Sequence, residues 1–237
     1  MGDDRAIRLR EGQTLATRLI DLSPTDMQQR LGDALAVYVD AMHYPRGTED
    51  QRASMWLEHT RRRGWKAVAA VEDIAAVEDI AAGEDIAAVE DTAAVEDTAA
   101  VEETEPGTPP SAAPMVGVAY GYCGAPDQWW QQQVVSGLRR SGADRDRIEA
   151  LMTSYFELTE LHIHPRAQGQ GLGEALIRRL LDDRAERQVL LSTPEVNGEA
   201  NRAWRLYRRL GFTDVIRGYH FAGDPRAFAI LGRSLPL

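Results

Sequence analysis

Three glycines at alternate positions, Gly169, Gly171 and Gly173, stand where one pattern gives way to another. Before them, Leu158, Leu161 and Ile163 make a half-apolar strand, which Pro165 ends because proline lacks a ladder donor. After them, Leu172, Leu176, Ile177, Leu180 and Leu181 fall on one face of a helix. A glycine turn that opens a helix leaves several backbone N–H groups unpaired at the positive end of the helix dipole. Its chemistry is anion binding, best suited to phosphate. Spacing excludes two phosphate loops. No Lys-Ser/Thr follows the glycines, as a P-loop requires, and Gly-x-Gly-x-Gly is not the dinucleotide pattern Gly-x-Gly-x-x-Gly. His162 and His164 form a His-x-His, but no third ligand is spaced nearby. The expectation is no metal, with polar packing or a substrate-pocket wall as their use.

The surrounding elements follow from periodicity and punctuation. Residues 1–16 read as a polar leader, with a short strand over Ala6–Arg10. A strand over Thr17–Leu22 runs into Ser23-Pro24-Thr25-Asp26, a helix N-terminus with a capping serine and proline at the first helical position. One helix is expected to about Met42 and a second over Thr48–Arg63, where Arg61, Arg62 and Arg63 suit a solvated C-terminal turn. Trp65–Val71 and Met115–Tyr122 read as a strand pair, and Pro126–Met152 as one or two helices. Val189–Ser192 is a short apolar strand, Glu199–Leu210 a helix closed by Gly211, and Phe212–Phe221 and Ala227–Gly232 are strands. Cys123 is most simply a packing residue. Tyr120, Tyr122, Trp129 and Trp130 suit either a packed core or the wall of an acceptor pocket.

The chain has 237 residues and a formal net charge of −10. That charge is local: 13 of the 37 acidic residues lie between Val71 and Glu105, a stretch without Lys or Arg, leaving 24 acids against 27 basic residues elsewhere. The acidic stretch is built from near-copies of VEDIAA. Six hexads are too few for a β-helix that buries a core. As an α-helix, each hexad advances about 600°, so the valines line no single side. A solvated insertion over residues 72–114, closed by the proline-rich PGTPPSAAP, is the expectation. Neither part has the concentrated basic face of a nucleic-acid binder. A single cysteine, no apolar leader and no run near the ~18 residues of a membrane span point to a cytoplasmic protein without disulfides or membrane contact.

The order strand, two helices, hairpin, strand–glycine turn–helix, strand, helix, strands resembles the GNAT superfamily of N-acetyltransferases. Gln168-Gly169-Gln170-Gly171-Leu172-Gly173 resembles that family's acetyl-CoA signature, and Leu206-Tyr207-Arg208-Arg209-Leu210-Gly211-Phe212 resembles its downstream tyrosine-helix motif. The resemblance covers roughly residues 17–235 apart from the insertion, and the chain looks like a bacterial branch. It implies an α/β fold: a mixed, mostly antiparallel central sheet with helices on both faces, forming one domain over 17–237 with the low-complexity segment in a hairpin loop.

By the same resemblance, backbone N–H groups of Gln168, Gly169, Gln170, Gly171, Leu172 and Gly173 hold the pyrophosphate of acetyl-CoA. Leu161, His162 and Ile163 offer backbone groups to the pantetheine and thioester, the Ile163 N–H polarising the carbonyl. Asn201 is the coenzyme contact from the following helix, one residue off the family's usual place, which here is Ala200. An alkyl amine of pKa ~10 must lose a proton before it attacks. Glu157 and Glu160 are the candidate bases, on opposite faces of the strand if alternation is unbroken: Glu157 with Leu161 and Ile163, Glu160 with His162 and His164. Glu157 has the spacing of the catalytic glutamate in some family members and is favoured. Tyr207 is the expected general acid for the departing thiolate. The implied activity is transfer of acetyl to a primary amine, first of all on a small molecule, through a direct ternary complex. A protein lysine or N-terminus as acceptor, and an acyl-CoA sensor without catalysis, are the alternatives. A homodimer, and a basic partner for the acidic repeat, are left open.

Overall fold

The computed structural model describes residues 17–72, 113–195 and 202–237. The leader, most of the acidic repeat with its linker, and Asn201 lie outside the described residues. Seven strands form one sheet: β1 (Thr17–Leu22), β2 (Lys66–Glu72), β3 (Met115–Cys123), β4 (Tyr155–Ile163), β5 (Gln188–Pro194), β6 (Thr213–Tyr219) and β7 (Phe228–Ser234). Their order is β1-β2-β3-β4-β5-β7-β6, and each neighbouring pair is antiparallel except β4 with β5. The α/β, mostly antiparallel architecture expected from the sequence is the one observed.

On one face lie α1 (Pro24–Gln29), α2 (Leu31–Met42) and α3 (Thr48–His59), followed by α4 (Trp129–Arg140) and α5 (Arg145–Met152). On the other lie α6 (Leu172–Leu181) and α7 (Arg202–Arg209). Ser23 caps α1 through a reciprocal pair with Asp26, as its spacing predicts. The single helix expected to Met42 is instead broken at Arg30 (φ −104°, ψ 17°). There the Arg30 guanidinium turns inward to the carbonyl of Ala113, at 2.6 Å. The second helix ends at His59, four residues early, and Arg62 is not merely solvated: its guanidinium lies 5.2 Å over the Tyr122 ring. The insertion joins β2 to β3, whose ends meet where Glu72 N–H donates to the Pro114 carbonyl at 2.9 Å.

Two features of β4 shape the site. The first is a bulge. Tyr120 pairs with Glu160 but Gly121 pairs with Leu158, so Thr159 is an extra residue in the ladder. One extra residue reverses the alternation of side chains beyond it. Phe156, Leu158, Leu161 and Ile163 all pack against the α6 face. Glu157, Glu160 and His162 are therefore together on the opposite face, against Tyr122, Tyr38 and Trp56. This corrects the expectation that Glu157 shares the face of Leu161 and Ile163, which assumed an unbroken strand. The second feature is divergence. β4 and β5 pair only at Tyr155–Gln188, Phe156–Val189 and Glu157–Leu190. Beyond Glu157 a cleft of about 1210 Å³ opens between Leu158–Ile163 on one side and Ser192–Pro194 on the other.

Gly121 makes the bulge sterically feasible. A Cβ there would overlap the Glu157 carbonyl oxygen and the Phe156 ring. Gly121→Ala is expected to destabilise the protein by about 2 kcal/mol or more, the usual scale of overpacking against backbone. Urea unfolding monitored by tryptophan fluorescence checks it, and wild-type stability would show that the bulge tolerates a side chain.

Candidate active site

The glycine turn lies at the mouth of the cleft. Gly169 (φ 85°) and Gly171 (φ 79°) occupy the left-handed region, and Gly171 caps α6. Gly173 serves packing: a Cβ on it would come within 2.9 Å of Leu206 Cδ2 on α7. The turn is tied to both walls. Gln168 Nε2 donates to the Ile163 carbonyl at 3.1 Å, and Arg202 Nη1 donates to Gln168 Oε1 at 3.2 Å. Gln168, Gly169, Gly171, Leu172 and Gly173 line the cleft, whereas the exposed Gln170 does not. Arg202, Arg205 and Arg209 also line it, and together with the helix N-terminus they make this end electropositive. These arginines lie beside the tyrosine motif; their relevance becomes visible only when α7 is seen to face the turn.

The backbone of β4 supplies the next part. The His164 N–H donates to the Val116 carbonyl on β3 at 2.9 Å. Backbone polar groups in an antiparallel strand alternate sides, so His162 likewise faces β3 while Leu161 and Ile163 present theirs to the cleft. Strand, turn and arginines could hold an extended, phosphate-bearing ligand: backbone groups that β5 does not pair, a glycine turn at a helix N-terminus, and cations beside it.

Glu160, His162 and Tyr207 line the cleft together; Glu157 does not. Glu160 Oε2 is 2.5 Å from His162 Nε2, and the His162 ring is held at 4.9 Å from the Tyr38 ring and stacked 6.3 Å from Trp56. Glu157 lies deeper, at 4% exposure. Tyr122 Oη approaches its Oε1 at 3.5 Å, and its Oε2 has no hydrogen-bond partner among the described residues. Burial pushes the Glu157 carboxyl up to about 8, with the Glu160 charge adding to the rise against Arg62 and Tyr122, so it is largely protonated at neutral pH. Burial raises the Tyr207 phenol well above its ordinary value, and the Glu160 charge adds to it, which keeps that hydroxyl protonated. His59, whose Nδ1 is 3.0 Å from Tyr120 Oη, is held down to about 4 by burial and then by Arg62, and is neutral.

At the far end, Trp129 is 53% exposed and tilts against Phe221, while Trp130 donates from Nε1 to Ser192 Oγ at 3.3 Å; both line the cleft. Tyr120 and Tyr122 instead belong to the core beneath α2 and α3. His162 and His164 do not act as a pair, since His164 Nε2 bonds Asp40 Oδ2 at 3.2 Å.

Glu157 carries a pH signature. Its unfolded pKa near 4.5 is raised to about 8 in the fold, so the stability it confers as a buried acid is full below about pH 4.5 and is lost as pH rises to about 8. Glu157→Gln, which keeps the shape of the protonated form, is expected to match wild type at pH 5 and to exceed it by a few kcal/mol at pH 8. Denaturant unfolding at the two pH values checks this; a variant destabilised equally at both would refute a protonated Glu157.

Comparison with known proteins bears on the same elements. The acetyltransferase (GNAT) domain family matches residues 127–214, from the start of α4 into β6. GCN5-like protein acetyltransferase Rv2170 of Mycobacterium tuberculosis is 70% identical over 223 residues, spanning 94% of this chain and 100% of that protein. Among solved structures, a GNAT-family acetyltransferase from Desulfovibrio desulfuricans aligns with TM-score 0.52 at 16% identity, covering 92% of this chain and 99% of the other. An acetyltransferase from Acinetobacter baylyi ADP1 aligns with TM-score 0.51 at 14% identity, covering 94% and 93%. These two share the fold. The 70% identity across the whole length of the mycobacterial relative places this chain in the GCN5-like (GNAT) family of acetyltransferases.

Proposed function

We propose that the protein is an acetyl-CoA-dependent N-acetyltransferase acting on a primary amine through a direct ternary complex. The observation that carries this reading is the cleft where β4 leaves β5, which holds Glu160, Tyr207 and the part of β4 around Ile163 that β5 does not pair, the Ile163 carbonyl being taken by Gln168 and its N–H left for a ligand. Acetyl-CoA, when bound, supplies the activated acetyl thioester. The turn Gln168–Gly173 and Arg202 hold its phosphates, and Asn201 is kept as a proposed contact. Leu161 and Ile163 offer backbone groups to its arm, and the Ile163 N–H stabilises charge developing on the carbonyl oxygen. Glu160, oriented by His162, accepts the proton of the attacking amine as the new C–N bond forms. Tyr207 gives its proton to the sulfur as the C–S bond breaks.

Glu160 replaces Glu157 as the favoured base because it lines the cleft, while Glu157 is buried behind it and protonated at neutral pH. Direct transfer is supported by the place of the sole cysteine. Cys123 lies at the end of β3, its Sγ 2.8 Å from Glu186 Oε1 and its thiol pushed up by burial, outside the cleft. For the acceptor, the mycobacterial relative's description as a protein acetyltransferase supports a protein amine ahead of the small molecule first expected.

The test is thiol release from acetyl-CoA with a panel of lysine peptides and small amines. Release with at least one amine supports catalysis, and tight coenzyme binding without release for any would favour the sensor. Tyr207→Phe is expected to lower kcat about a hundredfold with coenzyme Kd unchanged. Glu160→Gln is expected to lower kcat at pH 7 by a similar factor and to recover toward pH 10, where the free amine itself becomes abundant. Wild-type turnover in either variant would remove that residue from the mechanism.

A further inference from the structure

The far end of the cleft holds a cation not used in the mechanism above. Arg52, on α3, lines the cleft together with Tyr38, Glu160 and Arg226. Its guanidinium lies 5.5 Å over the Tyr38 ring, and Nη1 is 4.0 Å from Met55 Sδ. Among the described residues no carboxylate comes within ion-pair distance of it. The nearby acid, Asp224, is gripped by Arg226 at 2.6 Å, with Arg226 in turn bonded to Tyr44 Oη at 3.2 Å. The other cleft-facing guanidinium groups with identified partners are likewise occupied, Arg209 by Glu174 and Arg202 by Gln168. Arg52 is thus a half-buried guanidinium lying over an aromatic ring, without an ion-pair partner among the described residues, although its charge reaches Asp224.

The position has a chemical meaning. Tyr38, which Arg52 covers, is the ring against which His162 rests, and His162 orients Glu160. Two rings, those of Tyr38 and His162, therefore link the guanidinium to the proposed base. An acceptor whose amine meets Glu160 would carry its next polar group toward Arg52, and a planar, permanently charged guanidinium recognises a carboxylate best. Asp224 is held by Arg226 beside it, which leaves Arg52, among the described residues, a cation on this wall without an ion-pair partner.

We propose that Arg52 is the acceptor anchor: it binds a carboxylate displaced from the reactive amine, whether the side chain of an acidic residue beside an acetylated lysine or the carboxylate of a small amino acid. The proposal rests on the acetyltransferase reading and adds the substrate class. Arg52 positions the acceptor and takes no part in the chemistry, so its signature is in KM and not in kcat.

The experiment compares two matched acceptor pairs with the full-length protein. One pair is a lysine peptide with flanking glutamates against the same peptide with glutamines. The other is 6-aminohexanoate against hexylamine. Wild type is expected to favour the carboxylate member of at least one pair by about tenfold in kcat/KM, through KM. A preference confined to the peptides identifies a flanking acidic residue, and one confined to the small amines identifies an amino acid. Arg52→Gln is expected to erase the preference while keeping kcat on the neutral member, and Arg52→Lys to retain part of it. No preference in either pair, or a preference that survives Arg52→Gln, overturns the proposal. Should no amine release thiol, calorimetric titration of the same glutamate and glutamine peptides, synthesised with acetyl-lysine, in the presence of coenzyme A separates the two readings. Tighter binding of the glutamate peptide by wild type but not by Arg52→Gln upholds the anchor while the catalytic reading falls. Equal binding by both proteins removes the anchor.

Discussion

The site depends on one constraint, the way β4 is paired on its two sides. Toward β3 it keeps a ladder with one residue too many, and toward β5 it keeps a ladder only three pairs long. A backbone that stops pairing in the interior is costly unless something else takes its hydrogen bonds. Along Leu158–Ile163 the sheet therefore opens into the cleft whose other side is Ser192–Pro194. The bulge at Thr159 decides which side chains face that cleft. It brings Glu157, Glu160 and His162 to the face opposite Leu161 and Ile163, with Glu160 and His162 lining the cleft and Glu157 buried behind them, and leaves the apolar pair to the core under α6.

Much of this architecture is legible in the sequence. The alternate glycines, Pro165 and the amphipathic run after Leu172 announce a strand, a glycine turn and a helix by local chemistry alone, and these are found in that order. The capped start of α1 and the strand pair joined by the repeat are likewise local. What escapes is whatever depends on register or on partners distant in sequence. No residue type marks Thr159 as the bulge, because the extra residue is defined by its neighbours on β3. Both glutamates satisfy the residue type of a base, but only burial distinguishes Glu157 from Glu160. Arg52 and Arg202 look like ordinary helix-surface charges until α3 and α7 are brought to the cleft, and the break at Arg30 follows from a carbonyl 83 residues away.

Electrostatics divides the labour within a small volume. Burial keeps Glu157 largely protonated and His59 neutral on the face behind Glu160, where Arg62 acts on both, and keeps Tyr207 protonated on the α7 side. Charged groups then stand at both ends of the cleft: Glu160 and Arg52 by Tyr38, and Arg202, Arg205 and Arg209 with Glu174 by the glycine turn. Three arginines against one glutamate gather there in a chain whose formal charge is −10, because the surplus acid is concentrated in one segment of the sequence.

The central claim is that the gap between β4 and β5, with the Gln168–Gly173 turn, receives acetyl-CoA. Hydrogen exchange of the full-length protein with and without acetyl-CoA tests it most directly, since the amides proposed to bind the ligand are named. The account predicts added protection at Leu161, Ile163 and the 169–173 turn, with β1 and the β6–β7 hairpin unchanged. Saturating acetyl-CoA that leaves those amides as exchangeable as before, or protects a different surface, would contradict it.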